Sequence, residues 1–106
     1  MAIAEVTIIP IGTETTSLSS YVADLYVTLE QLEGIQFQMT SMSTIIEGSL
    51  DRVLEVIRIL HEVPFTQGAE RVSTSIKIDD RRDQDASSAQ KMKSVTDQLS
   101  QRFIQK

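Results

Sequence analysis

Ile35–Thr40 and Thr44–Glu47 are two runs with strand periodicity separated by three residues, and that spacing leaves the chain few ways to fold. In the first, Ile35, Phe37 and Met39 alternate with Gln36, Gln38 and Thr40, which is the two-residue period of a strand with one apolar face. Strands joined this tightly pair as an antiparallel hairpin. Gly48 ends the second run, and Ser49 stands where a helix N-cap belongs. The hairpin therefore lies at the centre of the chain, with one half of a sheet to build before it and the other half after it.

The flanking segments supply those halves. Ile3–Ile11 reads as a first strand. Val6 and Ile8 alternate with Glu5 and Thr7, Ile9 and Ile11 extend the second face, and Pro10 falls near the end, where a missing N–H is tolerated. Gly12–Thr16 is a polar loop, and Ser17 offers a cap to a helix over Leu18–Glu33. Leu18, Val22, Leu25, Leu29 and Leu32 form its stripe, and Gly34 is its stop. After the hairpin, Leu50, Val53, Leu54, Ile57 and Leu60 make a second stripe, with Asp51 in the first turn and Pro64 expected to stop the helix. Glu70–Asp79 alternates again, with Val72, Thr74, Ile76 and Ile78 on the core side. The charged run Asp79–Asp85 reads as a solvated turn. A third helix starts near Ser87, carrying Met92, Val95, Leu99 and Phe103. The order β-α-β-β-α-β predicts a ferredoxin-like split-βαβ sandwich of class α+β. A four-stranded antiparallel sheet carries two helices on one face, and a C-terminal helix is added. The whole chain, 1–106, reads as one such domain. The second sheet face mixes Gln36, Gln38, Ser73, Ser75 and Lys77 with Ile9, Ile11 and Ile45. A half-apolar open face of that kind points to a ligand or a second subunit, so a homo-oligomer is expected.

Composition narrows the chemistry. The chain has no cysteine, which excludes disulfides, thiolate metal sites and cysteine nucleophiles. A net charge of −5 repels phosphate backbones, so no nucleic-acid partner is expected, while a cationic or neutral ligand is accommodated more easily. The N-terminus has no basic segment followed by an apolar run, and no stretch approaches the ~20 apolar residues of a membrane span. Neither a signal peptide nor a membrane partner is expected, and the cytoplasm is the default location.

Neither G-x-x-x-x-G-K-[ST] nor G-x-G-x-x-G occurs. His61 is the single histidine. Its place beside the second helical stripe favours a structural role, and a metal site built from His61, Glu47 and Asp79 lacks any ligand spacing that would support it. Glu14, Glu47 and Asp79 have the chemistry of an acid or base, but nothing in the sequence brings two of them together. Glu47 and Thr44 admit two readings. They place a carboxylate and a hydroxyl in a segment that otherwise wants burial, as a small-molecule site would. They read also as a solvated strand end and an ordinary β-branched strand residue, which is the reading that spacing alone favours. Being three apart, they point to opposite faces of a regular strand, so one site can use both only if the strand breaks before Glu47 or a neighbouring subunit completes the pocket. Met39 and Met42 read as core filler.

Three separated segments carry a resemblance. Ile9-Pro10-Ile11-Gly12-Thr13, Thr44-Ile45-Ile46-Glu47-Gly48, and the run from Arg71 through Val72, Ser73, Thr74, Ser75, Ile76, Lys77, Ile78, Asp79 and Asp80 to Arg81 occur in this order. They match the signatures P-x-G-T, T-x-x-E-G and R-V-x-T-x-I-K-I-D-x-R. The chain resembles the small thiamine-binding protein family, long catalogued as a domain of unknown function. Ser41-Met42-Ser43 departs from the Pro-Met-Gly that this family pattern has before the threonine.

The resemblance implies a ferredoxin-like fold assembled as dimers or dimers of dimers. It also implies binding of thiamine or its hydroxymethylpyrimidine moiety as ligand, with no cofactor and no assigned reaction. Glu47 can accept from the exocyclic amino group of an aminopyrimidine or pair with its protonated ring nitrogen, and the Thr44 hydroxyl can serve either edge. Thr13 and Ser19 are weaker polar candidates, and Met39, Met42, Phe37 or Tyr21 would pack on the ring. Asp79 and Arg81 are expected as a structural or intersubunit pair. The alternative function is a regulatory ferredoxin-like dimer that binds another small metabolite. An enzyme of acylphosphatase type would need an arginine in the loop Gly12–Thr16, which has none.

Overall fold

The computed structural model describes residues 1–12, 18–83 and 88–104, with side chains described outside 88–91 and 101–104. Its elements follow in the order β1 (Ala2–Pro10), α1 (Ser19–Glu30), β2 (Ile35–Met39), β3 (Thr44–Gly48), α2 (Leu50–Thr66), β4 (Val72–Asp80) and α3 (Ser88–Ile104). The four strands form one antiparallel sheet in the order β2-β3-β1-β4. This is the expected ferredoxin-like arrangement, with α3 added after β4.

The hairpin β2–β3 is closed by Thr40. Its N–H donates to the Ser43 carbonyl at 2.8 Å, and its hydroxyl donates to the same carbonyl at 2.9 Å. The hydroxyl oxygen also accepts from the N–H groups of Met42 and Ser43, at 3.2 and 2.9 Å. A threonine side chain thus satisfies the turn's donors without the Pro-Met-Gly of the family pattern. Outward from this turn the register is fixed, with Gln38 opposite Ile45 and Gln36 opposite Glu47. β1 continues the rows across the sheet.

On the side covered by helices the rows read Phe37–Ile46–Ala4–Ile78 and Met39–Thr44–Val6–Ile76. Ala4, Val6 and Ile46 are buried there against Leu25 and Leu29 of α1 and Val53, Val56, Ile57 and Leu60 of α2. Burial of each large aliphatic side chain in this layer contributes about 1.5–3 kcal/mol. The small side chain of Ala4 lets α2 lie close over β1.

Three details differ from expectation. Leu54 is exposed and Val56 is buried in its place, because the face that meets the sheet runs Val53, Val56, Ile57, Leu60 and leaves Leu54 on the flank. Pro64 does not stop α2. The helix continues to Thr66, the Pro64 side chain is fully buried, and its carbonyl accepts from the N–H groups of Gln67 and Ala69, each at 3.1 Å. Proline lacks only its own donor and restricts the residue before it, so a position in the last turn is tolerable when the ring is packed. Val22 of the first stripe is exposed, and α1 begins after Leu18 without a side-chain cap; the expected cap Ser17 lies outside the described residues.

Polar contacts lock the layers. Ser49 caps α2, accepting from the Arg52 N–H at 3.3 Å, and Arg52 Nε donates to the Glu33 carbonyl at 2.7 Å. That contact pins the start of α2 to the bend at Gly34, which has φ +82°. His61 Nδ1 lies 2.6 Å from Thr74 Oγ1 and the ring packs edge-on to Phe65, so the histidine fastens α2 to β4.

Candidate functional site

The uncovered face of the sheet carries a different set of rows. One reads Gln36–Glu47–Ile3–Asp79 and the next Gln38–Ile45–Glu5–Lys77. Each strand places its residue there because side chains alternate faces, and the core residues Ile46, Ala4 and Phe37 fix the alternation from behind. Gln36, Gln38, Ile45 and Glu47, with the strand at Phe37, line a shallow depression of about 140 Å³. Ile3, Glu5, Lys77 and Asp79 border a second, broader concavity on the same face, reaching Ile78 at the strand edge, of about 390 Å³.

Chemically, this face offers two amides, three carboxylates and one ammonium around a floor of Ile3 and Ile45. Amides donate and accept, and carboxylates accept only, so the surface can match a planar heterocycle that presents both donors and acceptors along one edge. The excess of carboxylate favours a cation.

Six of the candidate residues named from the sequence scatter. Glu47 is half-buried and lines the depression. Thr44 is 6% exposed on the opposite, helix-covered side, in the row with Met39 and Val6. β3 is regular through Gly48, so no break turns Thr44 toward Glu47. Met39 is half-buried against the core on that same side. Met42 is 81% exposed in the β2–β3 turn, where its carbonyl accepts a hydrogen bond from Thr7 Oγ1 at 3.4 Å. Ser19 is exposed at the first residue of α1. Thr13 lies outside the described residues. Within one chain, then, the depression unites Glu47 with Gln36 and Gln38 rather than with Thr44. Those two glutamines carried a signal: counting outward from the Thr40–Ser43 turn places each across from β3.

A metal site of His61, Glu47 and Asp79 is ruled out by placement. His61 meets Thr74 on the helix side of the sheet, and the two carboxylates occupy rows on the other side. Among the described residues, no group of three or more histidine or carboxylate side chains could hold a metal ion. Arg81 is held by Asp83, with Nε donating to Oδ1 at 2.7 Å, and Arg82 donates to Asp80 at 2.9 Å, as suits a solvated turn. The hydrogen bond to Asp83 raises the Arg81 pKa above its ordinary value. Tyr26 is also raised, first by its hydrogen bond to Glu30 and then by that carboxylate's charge. Among the described residues, no helix is long and apolar enough to cross a membrane.

Comparison with known proteins agrees with the motifs. Residues 4–96 match the family model described as thiamine-binding protein. The UPF0045 protein YqgV of Bacillus subtilis is 54% identical over 102 residues, covering 93% of this chain and 98% of that one. A UPF0045 protein of Methanothermobacter thermautotrophicus is 41% identical over 100 residues, covering 93% of this chain and 100% of that one. Among solved structures, the protein MJ1052 of Methanocaldococcus jannaschii superposes with a TM-score of 0.76 at 30% identity, covering 90% of this chain and 95% of that one. A domain of unknown function from Bacillus cereus superposes with a TM-score of 0.71 at 28% identity, covering 82% of each. On the motifs, the fold and these similarities together, the chain belongs to the thiamine-binding protein family.

Proposed function

We propose that the open sheet face around Glu47 binds thiamine or its hydroxymethylpyrimidine moiety, without catalysing a reaction, and that a second copy of the chain closes the site. The observation that carries this reading is the cross-strand grouping of Gln36, Gln38 and Glu47 around one depression. An aminopyrimidine presents an exocyclic amino donor beside a ring-nitrogen acceptor. A carboxylate flanked by two amides complements that edge, and a charge-assisted hydrogen bond to Glu47 supplies the strongest contact. The thiazolium cation of thiamine suits a face where Asp79 shares the row of Glu47 and Glu5 lies in the next row. Membership of the thiamine-binding family supports the same ligand class.

The depression is shallow, and small-molecule sites ordinarily bury most of their ligand. Packing a second subunit against this half-apolar face would enclose the ligand and cover Ile3, Ile9 and Ile45. A dimer or dimer of dimers follows as part of the proposal. A regulatory dimer that binds another metabolite would suit a pocket lined by backbone groups with Glu47 outside it, and Glu47 lines the depression here.

Calorimetric titration of the parent and of Glu47→Gln with thiamine, hydroxymethylpyrimidine and thiamine pyrophosphate tests the reading. Saturable binding of thiamine or the pyrimidine by the parent, weakened at least about tenfold in the variant, is expected, which is about 1.4 kcal/mol or more. Absence of binding to a folded, oligomeric parent would overturn it. The pyrophosphate form is expected to bind more weakly, because Lys77 is the one cation in the rows described.

A further inference from the structure

A carboxylate meets an aminopyrimidine in one of two ways, at the neutral exocyclic amino group or as a pair with a protonated ring nitrogen. The charges on the open face distinguish them. Glu47 stands directly across from Gln36 on β2, with Gln38 one diagonal step away, and both amides are neutral. On β1 its neighbour in the row is Ile3, with Glu5 in the next row. On β4, Asp79 ends the row of Glu47 and Lys77 lies across from Glu5. These rows hold three carboxylates and one ammonium, an excess of two negative charges. Lys77 is two strands from Glu47, about 10 Å at the usual interstrand spacing. The rows farther along, Thr7–Ser75 and Ile9–Ser73, carry no charge.

The other charged groups near these strands lie off the face. Asp80 is in the row of buried Ala2, on the helix side, and is held by Arg82. Arg81 is held by Asp83 past the end of β4. His61 meets Thr74 on the helix side, and the Met1 amine lies beyond the last paired row, where Ala2 meets Gly48 and Asp80.

A ligand seated in the depression covers Glu47, which is already half-buried, and takes water from it. Removing water from a carboxylate is costly unless a charge meets it. A neutral ring offers only the dipole of its amino group, whereas an N⁺–H group offsets both Glu47 and the excess of the face. The same field acts on the ligand. Free in water near neutral pH the ring is unprotonated, and a carboxylate within hydrogen-bonding reach raises the pKa of its basic nitrogen.

We propose that binding at Glu47 is coupled to proton uptake. The pyrimidine ring nitrogen takes one proton from the solvent as it binds, its lone pair forming the new N–H bond, and the resulting cation pairs with the Glu47 carboxylate. No other covalent bond of ligand or protein changes, and the proton returns to solvent on release. The inference rests on the reading that this face binds the aminopyrimidine. It makes the site sensitive to pH, with tighter binding as pH falls from 8 toward 7.

Calorimetry of the full-length parent with hydroxymethylpyrimidine at pH 7.5, in buffers of low and high ionisation enthalpy, counts the protons. Uptake of at least about half a proton per site is expected, and affinity should rise at least about twofold from pH 8 to pH 7. In Glu47→Gln both dependences should vanish from whatever binding remains. Nitrogen NMR of the pyrimidine, labelled with nitrogen-15 in the ring, locates the proton. The ring signal should move to its protonated position at a pH where the free ligand is neutral. That measurement uses the parent alone, so it decides the matter even if the variant fails to fold. A ring signal unmoved in the complex, or a binding enthalpy identical in all buffers, would overturn the proton uptake and leave the thiamine reading standing. Absence of saturable binding by the parent would overturn both.

Discussion

Thr44 and Glu47, three residues apart on β3, stand on opposite faces of the sheet: Thr44 shares a row with Val6 and Met39 beneath the helices, and Glu47 shares one with Gln36 and Ile3 on the open side. The two polar groups of one motif therefore do different work. Glu47 belongs to the proposed ligand face, and Thr44 belongs to the packing that holds it in register.

Thr44→Val separates those roles. It keeps the β-branched shape and removes the hydroxyl from a buried position. Stability is expected to change by no more than about 1.5 kcal/mol, the scale of one hydrogen bond. Ligand affinity should stay within about threefold of the parent, in contrast to Glu47→Gln. Urea denaturation and calorimetry measure the two quantities, and a loss of affinity matching that of Glu47→Gln would return Thr44 to the site.

Gly48→Ala probes the end of the same strand. A methyl group there would stand 3.1 Å from the Gly34 carbonyl oxygen and 3.3 Å from Ile35 Cγ2. The first neighbour is backbone, held by the Arg52–Glu33 contact, and it yields little. Overpacking of this kind costs about 1–3 kcal/mol. The denaturation midpoint should fall accordingly, with an unchanged slope.

Thr74→Val removes the hydroxyl that His61 meets at 2.6 Å. The part-buried imidazole then loses a partner, and destabilisation of about 1–3 kcal/mol is expected. Ligand binding should persist, since the pair sits on the helix side of the sheet. A variant as stable as its parent, by thermal denaturation, would show that the contact fastens nothing.

Tyr26 gives the pH dependence. Its hydrogen bond to the Glu30 carboxylate favours the neutral phenol, so the folded pKa lies above the ordinary tyrosine value near 10. The linked stabilisation is fully present below the unfolded pKa and is lost as pH rises through the folded one. Tyrosinate absorbance followed in Tyr21→Phe should titrate above free tyrosine, and adding Glu30→Gln should move the titration down. No downward movement would remove Glu30 as the cause.

The local periodicities of this chain are strong enough that element order, the antiparallel hairpin and the α+β architecture follow from the residues alone. The register of β2 against β3 is equally local. It counts outward from Thr40 and Ser43, so the pairing of Gln36 with Glu47 was available without coordinates. The motif T-x-x-E-G likewise marks Glu47 before any geometry is known.

Only the tertiary structure decided what each polar group faces. A bulge before Gly48 would have brought Thr44 and Glu47 together, and its absence depends on β1 pairing continuously along β3. Pro64 looks like a helix stop because its missing donor is a local fact, while the burial that lets the helix continue is not. Ile76 and Ile78 alternate as core residues should, but coverage depends on where the helices lie, and α2 rests over β1 with β4 at its margin. Periodicity records which side of a strand is apolar. It cannot record what arrives to cover that side, because the covering element is distant in sequence.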